Sequence, residues 1–558
     1  MKKILLLLLG FSFLNLSAGS LPDNVYFRAM SDEMQRTMKD LRVKGSAKPF
    51  FAGYKLVDEY RHIVSASLGS KIPQREPHNS LSALVYVTAG DGQENSSGFT
   101  LASQSTYKGE EGVPAYSESV PQSYEGIRRE LWKLTDDAYI FASTAYDQKK
   151  AYKKRKGLNK ELPDFSQARK ASFLQEIPPF SALEEGMQER VNALSAQGKR
   201  LPYLEKFTVG RSRLQQRNYF LDSKGNFAQY YTPQDYLYIE ASLRLATGEP
   251  YSFLNSYILP QDPATHPAQM QQIVEKTLAE IEKQYHAVRE KKPYVGPVLF
   301  KKKAAASFFS FLFVPAASNT KPLLEGSDYN DTASGYFRDR KGMRVISPLF
   351  DVYDKPSLSQ HQGKTLAGFM PVDDEGVKAE DLHLIQEGKL LAFPTIRSLV
   401  EGQKRSNGHA RMSQVRLPRA GVSNLFFVPK ETFSEKEMEE KLLQRCKEQE
   451  LEYCYIVPSS FYYSTDEGVA FPKVVERIYT KDGRKEMVNG LKITGASSRT
   501  LRNILAAGDD TDVYNEYSKY YIFSTVSQAI VTPSVLVDEI ELQSNMYIPD
   551  TPPVVPLP

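Results

Sequence analysis

Cysteine, histidine and tryptophan are scarce in this chain of 558 residues, with two, seven and one copies. The two cysteines, Cys446 and Cys454, form no Cys-x-x-Cys motif. An oxidising compartment would permit a disulfide between them; otherwise they read as buried or free thiols. The histidines are His62, His78, His266, His286, His361, His383 and His409, and none has a second His or Cys at ligand spacing. Glu282 and His286 share a face of a densely charged helix and read as a solvated pair. There is no His-Glu-x-x-His, no Gly-x-Ser-x-Gly elbow and no phosphate loop. Charge imbalance is also missing: 71 basic residues face 67 acidic ones, a net charge of +4. That balance argues against a nucleic-acid partner, and Lys153-Lys154-Arg155-Lys156 reads as a solvated helix end. Long apolar runs are lacking after the first residues. Ile4 to Leu14 follows Lys2-Lys3 and precedes Ser17-Ala18-Gly19-Ser20, the pattern of a signal peptide over 1–19 cleaved near Ala18 or Gly19. That run falls short of the ~20 residues that span a bilayer. No cysteine follows it to carry a lipid anchor. The expectation is a periplasmic or secreted protein with no integral membrane segment after cleavage.

What remains has a globular balance, 41% hydrophobic and 25% charged. The length allows two or three domains. We expect an α+β fold: an N-terminal helix-and-antiparallel-sheet domain over 20–290, a β-rich domain over 291–548 and a proline-rich tail over 549–558. Met30, Met34, Met38 and Leu41 give the period of a helix within 24–42. Alternating segments at Phe50–Leu56, His62–Leu68 and Leu81–Val87 predict strands. Helices are expected at Glu125–Lys154, Phe180–Ala196 and Pro267–Lys291, with Trp132 packed in a core. Strands rich in Tyr are expected over Leu204–Tyr251, with turns at Asp222–Gly225 and Thr247-Gly248. Later come a charged helix at Ser434–Gln449 and a short one at Ser498–Ala506.

The most informative stretch is Pro293–Pro315, PYVGPVLFKKKAAASFFSFLFVP. It predicts a Gly296-Pro297 turn, a short strand Val298–Phe300 and a buried helix that Pro315 ends or kinks. This stretch resembles the TldD/PmbA family of metallopeptidases, in particular the TldE/PmbA-like members that lack the His-Glu-x-x-x-His motif. Active members carry a Gly-Pro-Val-Leu-Phe strand, an alanine run and a helix bearing that motif. On this resemblance the first His falls on Ser310, the Glu on Phe311 and the second His on Pro315, so all three are replaced. The third family ligand is a late cysteine, and here no cysteine follows Gly508.

Further landmarks keep the family order. Val372-Asp373-Asp374-Glu375-Gly376-Val377 is similar to an Asp-Asp-Glu-Gly-Val block, and Leu384-Ile385-Gln386-Glu387-Gly388 to a Leu-Ile-Glu-x-Gly hairpin. The acidic triplet reads as a turn whose carboxylates cap backbone N–H groups, or else as a catalytic or cation-binding cluster. Ser406-Asn407-Gly408-His409-Ala410-Arg411 resembles a segment that borders the family's substrate cleft. Asp373, Asp374, Glu375, Asn407, His409 and Arg411 are therefore the substrate-cleft candidates. His409 alone reads as a loop residue, and Arg405 and Arg411 as exposed side chains able to hold a carboxylate. Phe350–Pro356, Ile493-Thr494-Gly495, Leu501–Gly508 and Pro533–Val537 match later family patterns, and Met30–Met34 and Val64–Gly69 match the first domain.

The resemblance implies a metal-free, non-catalytic subunit. It would pair with a metal-bearing TldD-like paralogue that holds any zinc, and together they would degrade unfolded peptides. The strands around Val298 and Leu384–Leu390 are expected to accept an extended peptide by backbone pairing. The alternatives are an active metallopeptidase with non-standard ligands and a stand-alone binding protein of the cell envelope.

Overall fold

The computed structural model describes residues 21–545, except 75–76, 98–114, 158–162, 247, 249, 260–263, 265, 319–334, 399–402, 414–415, 465–467, 473 and 517–526. The expected signal peptide and tail lie outside the described residues.

The N-terminal half is built on one mainly antiparallel sheet of unusually long strands, with Ser172–Leu174 paired in parallel at one end. Pro49–Ser67 and Leu204–Asp222 run 19 residues each and Phe227–Arg244 runs 18. The two short segments expected at Phe50–Leu56 and His62–Leu68 are thus one continuous strand. The strand continues through Val57–Arg61 because that stretch is paired on both sides, to His78–Ala89 and to Leu204–Asp222. Asp222–Gly225 makes the expected hairpin turn, with the Asp222 carboxylate accepting from Lys224 N and Asn226 N at 2.9 Å each. Helix α1 (Val25–Asp40) is capped by Asn24, and with α2 (Tyr124–Lys156, capped by Ser123) it covers one part of the sheet. Helices α3 (Met187–Ala196) and α4 (His266–Tyr285) cover another part.

Two helix bounds and the place of Trp132 need correction here. Residues Phe180–Gly186 are not helical, and α3 begins only at Met187. Two Pro residues, Pro178 and Pro179, precede this stretch, and its backbone N–H groups bond to side chains of the sheet instead: Ser181 N donates to Gln215 and Leu183 N to His62. α4 stops at Tyr285, and Val288–Arg289 joins a sheet of the C-terminal half. Trp132 is 55% exposed, because the apolar face of α2 is set by Ile127, Leu131, Leu134 and Ala138, and Trp132 points the other way.

The C-terminal half holds a ten-stranded and a six-stranded mixed sheet. Helix α5 (Lys303–Ala317) lies between them. Its Phe309 stacks on Phe427 of the six-stranded sheet at 3.8 Å, and Phe308 stacks on Phe300 of the ten-stranded sheet at 4.9 Å. Together these residues form the largest core. The Tyr294–Phe300 strand leading into α5 is central, parallel to Tyr453–Val457 and antiparallel to Val535–Ser544. The expected Gly296-Pro297 turn is instead a register shift inside this strand, since Pro297 has no N–H for the ladder. A Cβ at Gly296 would come within 2.6 Å of Leu451 Cδ1 and 2.7 Å of Tyr294 OH, so both side chains would have to shift. Helix α6 (Glu435–Glu448) carries a capping box, Ser434 with Glu437. Its Cys446 is bonded to Cys454 of the Tyr453–Val457 strand. The helix expected at Ser498–Ala506 is one 3-10 turn, Thr500–Asn503, followed by the strand Ile504–Ala507. That strand pairs with Val535–Ser544, and the pairing overrides the alanines' helical preference.

Candidate functional site

The basic run entering α5 is structural. Lys301 Nζ lies 2.7 Å from both Glu435 and Glu439 of α6. Lys302 N donates to Ser534 Oγ. Lys303 Nζ donates to Asn255 Oδ1 in the N-terminal sheet at 3.1 Å and sits 3.9 Å over the Tyr257 ring. These contacts fix the first turn of α5, and with it the positions of Ser310, Phe311 and Pro315.

Ser310 is 1% exposed yet fully bonded. Its hydroxyl is 2.6 Å from Glu516 Oε2 and 2.9 Å from Tyr463 OH. Gln528 Nε2 donates to the same Glu516 oxygen at 2.7 Å. Burial pushes the Glu516 carboxyl up, against the hydrogen bonds from Ser310 and Gln528. Phe311 packs on the Tyr463 ring with centroids 5.3 Å apart. Pro315 does not end the helix, which runs two residues further to Ala317. Proline takes the N–H away from the Phe311 carbonyl, while its own carbonyl accepts from Gly335 N at 3.0 Å. The positions that carry metal ligands in the resembling family thus offer a hydroxyl, an aromatic ring and an imino acid. These residues do not fit a zinc ion, which takes about three N, O or S ligands. Among the described residues no three His, Cys, Asp or Glu side chains converge as a metal site.

Tyr463, Glu516 and Gln528 were missed by sequence reasoning. Tyr463 lies on Phe461–Ser464, an edge strand of the ten-stranded sheet, and Glu516 on Asp512–Glu516, an edge strand of the six-stranded sheet. Only the packing of both sheets on α5 brings them together. No local signal marks them.

The strands chosen for backbone pairing need correction. Val298 is in a strand paired on both sides, and Leu382–Gln386 is likewise enclosed. Leu384–Leu390 forms a tight hairpin, with Glu387 and Gly388 both at positive φ, 48° and 75°. Neither strand has an open edge for an incoming peptide, and at the end of the sheet Leu390 N of Lys389–Leu390 already donates to Met343 O at 3.0 Å.

The second group of candidates clusters away from Ser310. Asp373 Oδ1 accepts from Glu375 N at 3.0 Å and Val377 N at 2.8 Å, and Oδ2 from Ala410 N at 2.9 Å. Asp374 Oδ1 meets Lys55 Nζ at 2.7 Å, and Oδ2 accepts from Met412 N. Glu375 Oε2 accepts from Arg397 N at 2.7 Å. The triplet is therefore a buried turn whose carboxylates hold backbone N–H groups, the first of the two readings. Burial raises the Asp373 carboxyl to about 6 and the Glu375 carboxyl to about 8, the latter with help from Asp373 beside it. Asn407 holds a loop by accepting from Thr395 N and donating to Phe393 O. His409 is fully buried, with Nδ1 2.9 Å from Asn407 Oδ1 and Nε2 3.4 Å from Asp354. It is a loop residue, as expected, but one closed off from solvent. Arg411 is half-buried rather than exposed and donates to Gly368 O and Ser423 Oγ. Arg405 is exposed and paired with Glu380.

Residues 293–544 match the family model described as the PmbA/TldA metallopeptidase C-terminal domain. No curated protein matches the chain. Among solved structures, TldE from Thermococcus kodakarensis aligns with a TM-score of 0.58 and 14% identity, covering 92% of this chain and 100% of its own. A Thermotoga maritima protein described as a candidate modulator of a DNA gyrase aligns with a TM-score of 0.59 and 15% identity, covering 92% and 100%. A Bacteroides thetaiotaomicron protein with the same description gives 0.56 and 12%, covering 93% and 98%. At these identities the three structures establish a shared fold.

Proposed function

We propose that this chain, which belongs to the TldD/PmbA family through its C-terminal domain, is a metal-free, non-catalytic subunit. It joins a metal-bearing paralogue, and the pair degrades unfolded peptides outside the cytoplasm. The observation that carries this reading is the bonding around Ser310. The ligand helix is kept between its two sheets, but its polar position is committed to Tyr463 and Glu516, and Phe311 fills the neighbouring space. A scaffold preserved without its ligands suits assembly better than chemistry.

The same neighbourhood supports a peptide-holding role better than Val298 does. Phe461–Ser464 and Asp512–Glu516 are the outermost strands of their sheets, and they flank Ser310. Such edges are the usual docking place for an extended chain. Export is supported by the Lys2-Lys3 and Ile4–Leu14 pattern. Among the described residues no helix is long and apolar enough to cross a membrane.

The test is co-expression with a His-Glu-x-x-x-His paralogue, followed by sizing and peptide cleavage. Co-elution, with cleavage faster than by the paralogue alone, is expected. A paralogue that never co-elutes and cleaves equally well alone would end this reading.

A further inference from the structure

The acidic turn Val372–Val377 is where the N-terminal sheet meets the C-terminal domain. Asp374 reaches Lys55 on the Pro49–Ser67 strand at 2.7 Å. Gly376, at φ +73°, lies against Asp222 in the hairpin turn of the long strands, and a Cβ there would stand 2.2 Å from Asp222 Oδ2. Arg397 closes the other side. Its Nε donates to Glu375 O at 2.9 Å and its Nη1 to Ser166 O at 3.3 Å, while Ser166 N donates back to Arg397 O at 2.8 Å. Its guanidinium lies 5.1 Å from the Phe165 ring and 5.4 Å from the Phe51 ring, both in the N-terminal half. Apolar contacts surround the polar ones: Phe51, Tyr86 and Phe165 pack with Met412, and Phe220 and Tyr230 with Val372.

The charges at this junction nearly balance without Glu375. Lys55, Arg397 and Arg411 face Asp222, Asp373 and Asp374, and Asp354 lies beyond Arg411, its carboxylate held by the Ser423 and Asn424 N–H groups. Glu375 is the carboxyl left over. It is fully buried, its Oε2 holds Arg397 N, and its Oε1 has no hydrogen-bond partner among the described residues. Tyr86 is its polar neighbour across the interface, with Arg397, Asp373 and Asp374 from its own domain. An ionised carboxylate with a bare oxygen in a dry site is costly, whereas the neutral acid is far less so.

We propose that the Val372–Val377 turn is a proton-dependent joint: it holds the two domains together while the Glu375 carboxyl keeps its proton and loosens when base removes it. This inference stands apart from the subunit reading, since it concerns how this chain's own domains are joined. Consistent with it, burial and Asp373 bring the Glu375 carboxyl to about 8, so the proton is present at neutral pH. The sign follows from linkage. A carboxyl raised in the folded state stabilises most below its unfolded value, and that contribution declines as pH rises and is gone above the folded value. Loosening would also free α5 from one side, because Lys303 is its direct tie to Asn255 of the N-terminal sheet.

Hydrogen exchange read by mass spectrometry on the purified chain tests this from about pH 6.5 to about pH 9.5, with rates corrected for base catalysis. Wild type should lose about tenfold protection in peptides covering Val372–Val377, Thr395–Ser398 and Ala410–Met412, with α6 unchanged. The loss should be complete by about pH 8, with protection level above that. Glu375→Gln, which cannot ionise, should keep its protection over the whole range. Gly376→Ala should expose the same peptides at every pH, because its Cβ has no room beside Asp222. Wild-type protection that stays constant to about pH 9.5 overturns the proposal, as does a Glu375→Gln profile that follows wild type. If Glu375→Gln does not fold, the wild-type titration alone decides.

Discussion

Lys149 carries a charge into the interior. Its ammonium is 2.7 Å from Asn95 O and Ser97 O and 3.0 Å from Asp164. Burial opposes ionisation of Asp164, but Lys149, the Asn95 N–H and Lys153 outweigh it and hold the carboxyl below its usual range. Breaking a buried pair on one side leaves a stranded charge, so Lys149→Met should cost about 3–5 kcal/mol in denaturant unfolding. Because the folded carboxyl is lowered, this contribution is present at neutral pH and fades as pH falls through the folded value. Unfolding midpoints measured at falling pH should therefore drop less in Lys149→Met than in wild type. Ser310→Ala tests the other polar centre. It leaves Glu516 and Tyr463 without their shared partner, and a loss of about 1–3 kcal/mol is expected by thermal melting. A Ser310→Ala protein as stable as wild type would show that this hydroxyl does not hold α5.

At the level of elements, burial separates neighbours on α2. Leu131 is fully buried and Trp132 is 55% exposed. Leu131→Ala should cost about 2–5 kcal/mol, while Trp132→Ala should stay within about 0.5 kcal/mol, both from chemical denaturation. The long sheet makes its own demand at Gly210, which pairs with Tyr238. A Cβ at that position would lie 2.0 Å from the tyrosine ring. Gly210→Ala should therefore destabilise by about 1–3 kcal/mol. The ring should shift in a crystal structure of the variant. The Cys446–Cys454 bond ties the end of α6 to a central strand. Replacing both cysteines by serine should lower stability by about 2–4 kcal/mol.

For the whole molecule, the two sheets of the C-terminal half and the sheet of the N-terminal half meet at a few defined places. Those places are the acidic turn, Arg397 and Lys303. The zinc reading is tested at this scale as well. Elemental analysis of the purified chain should find no stoichiometric zinc, because Ser310, Phe311 and Pro315 supply one hydroxyl between them. About one tightly held zinc per chain would contradict this and would require ligands other than these residues.

The strands Leu204–Asp222 and Phe227–Arg244 and the helices α1, α2 and α6 were readable in the residues. Each follows from local period, capping and turn chemistry, which act between neighbours in the chain. The replaced ligand positions were readable too, because a hydroxyl, a ring and a proline are what they are in any fold. Packing decided the rest. Pro49–Ser67 became one strand because partners on both sides kept it extended. Ile504–Ala507 left the helix because a strand lay beside it. Trp132 went to solvent because the face of α2 was set by its neighbours. The partners of Ser310 come from strands 153 and 206 residues further along the chain. The acidic turn became a joint because Lys55 and Asp222 arrive from the other domain. Such contacts depend on which surfaces exclude water together, and that is a property of the assembled sheets rather than of any local run of residues.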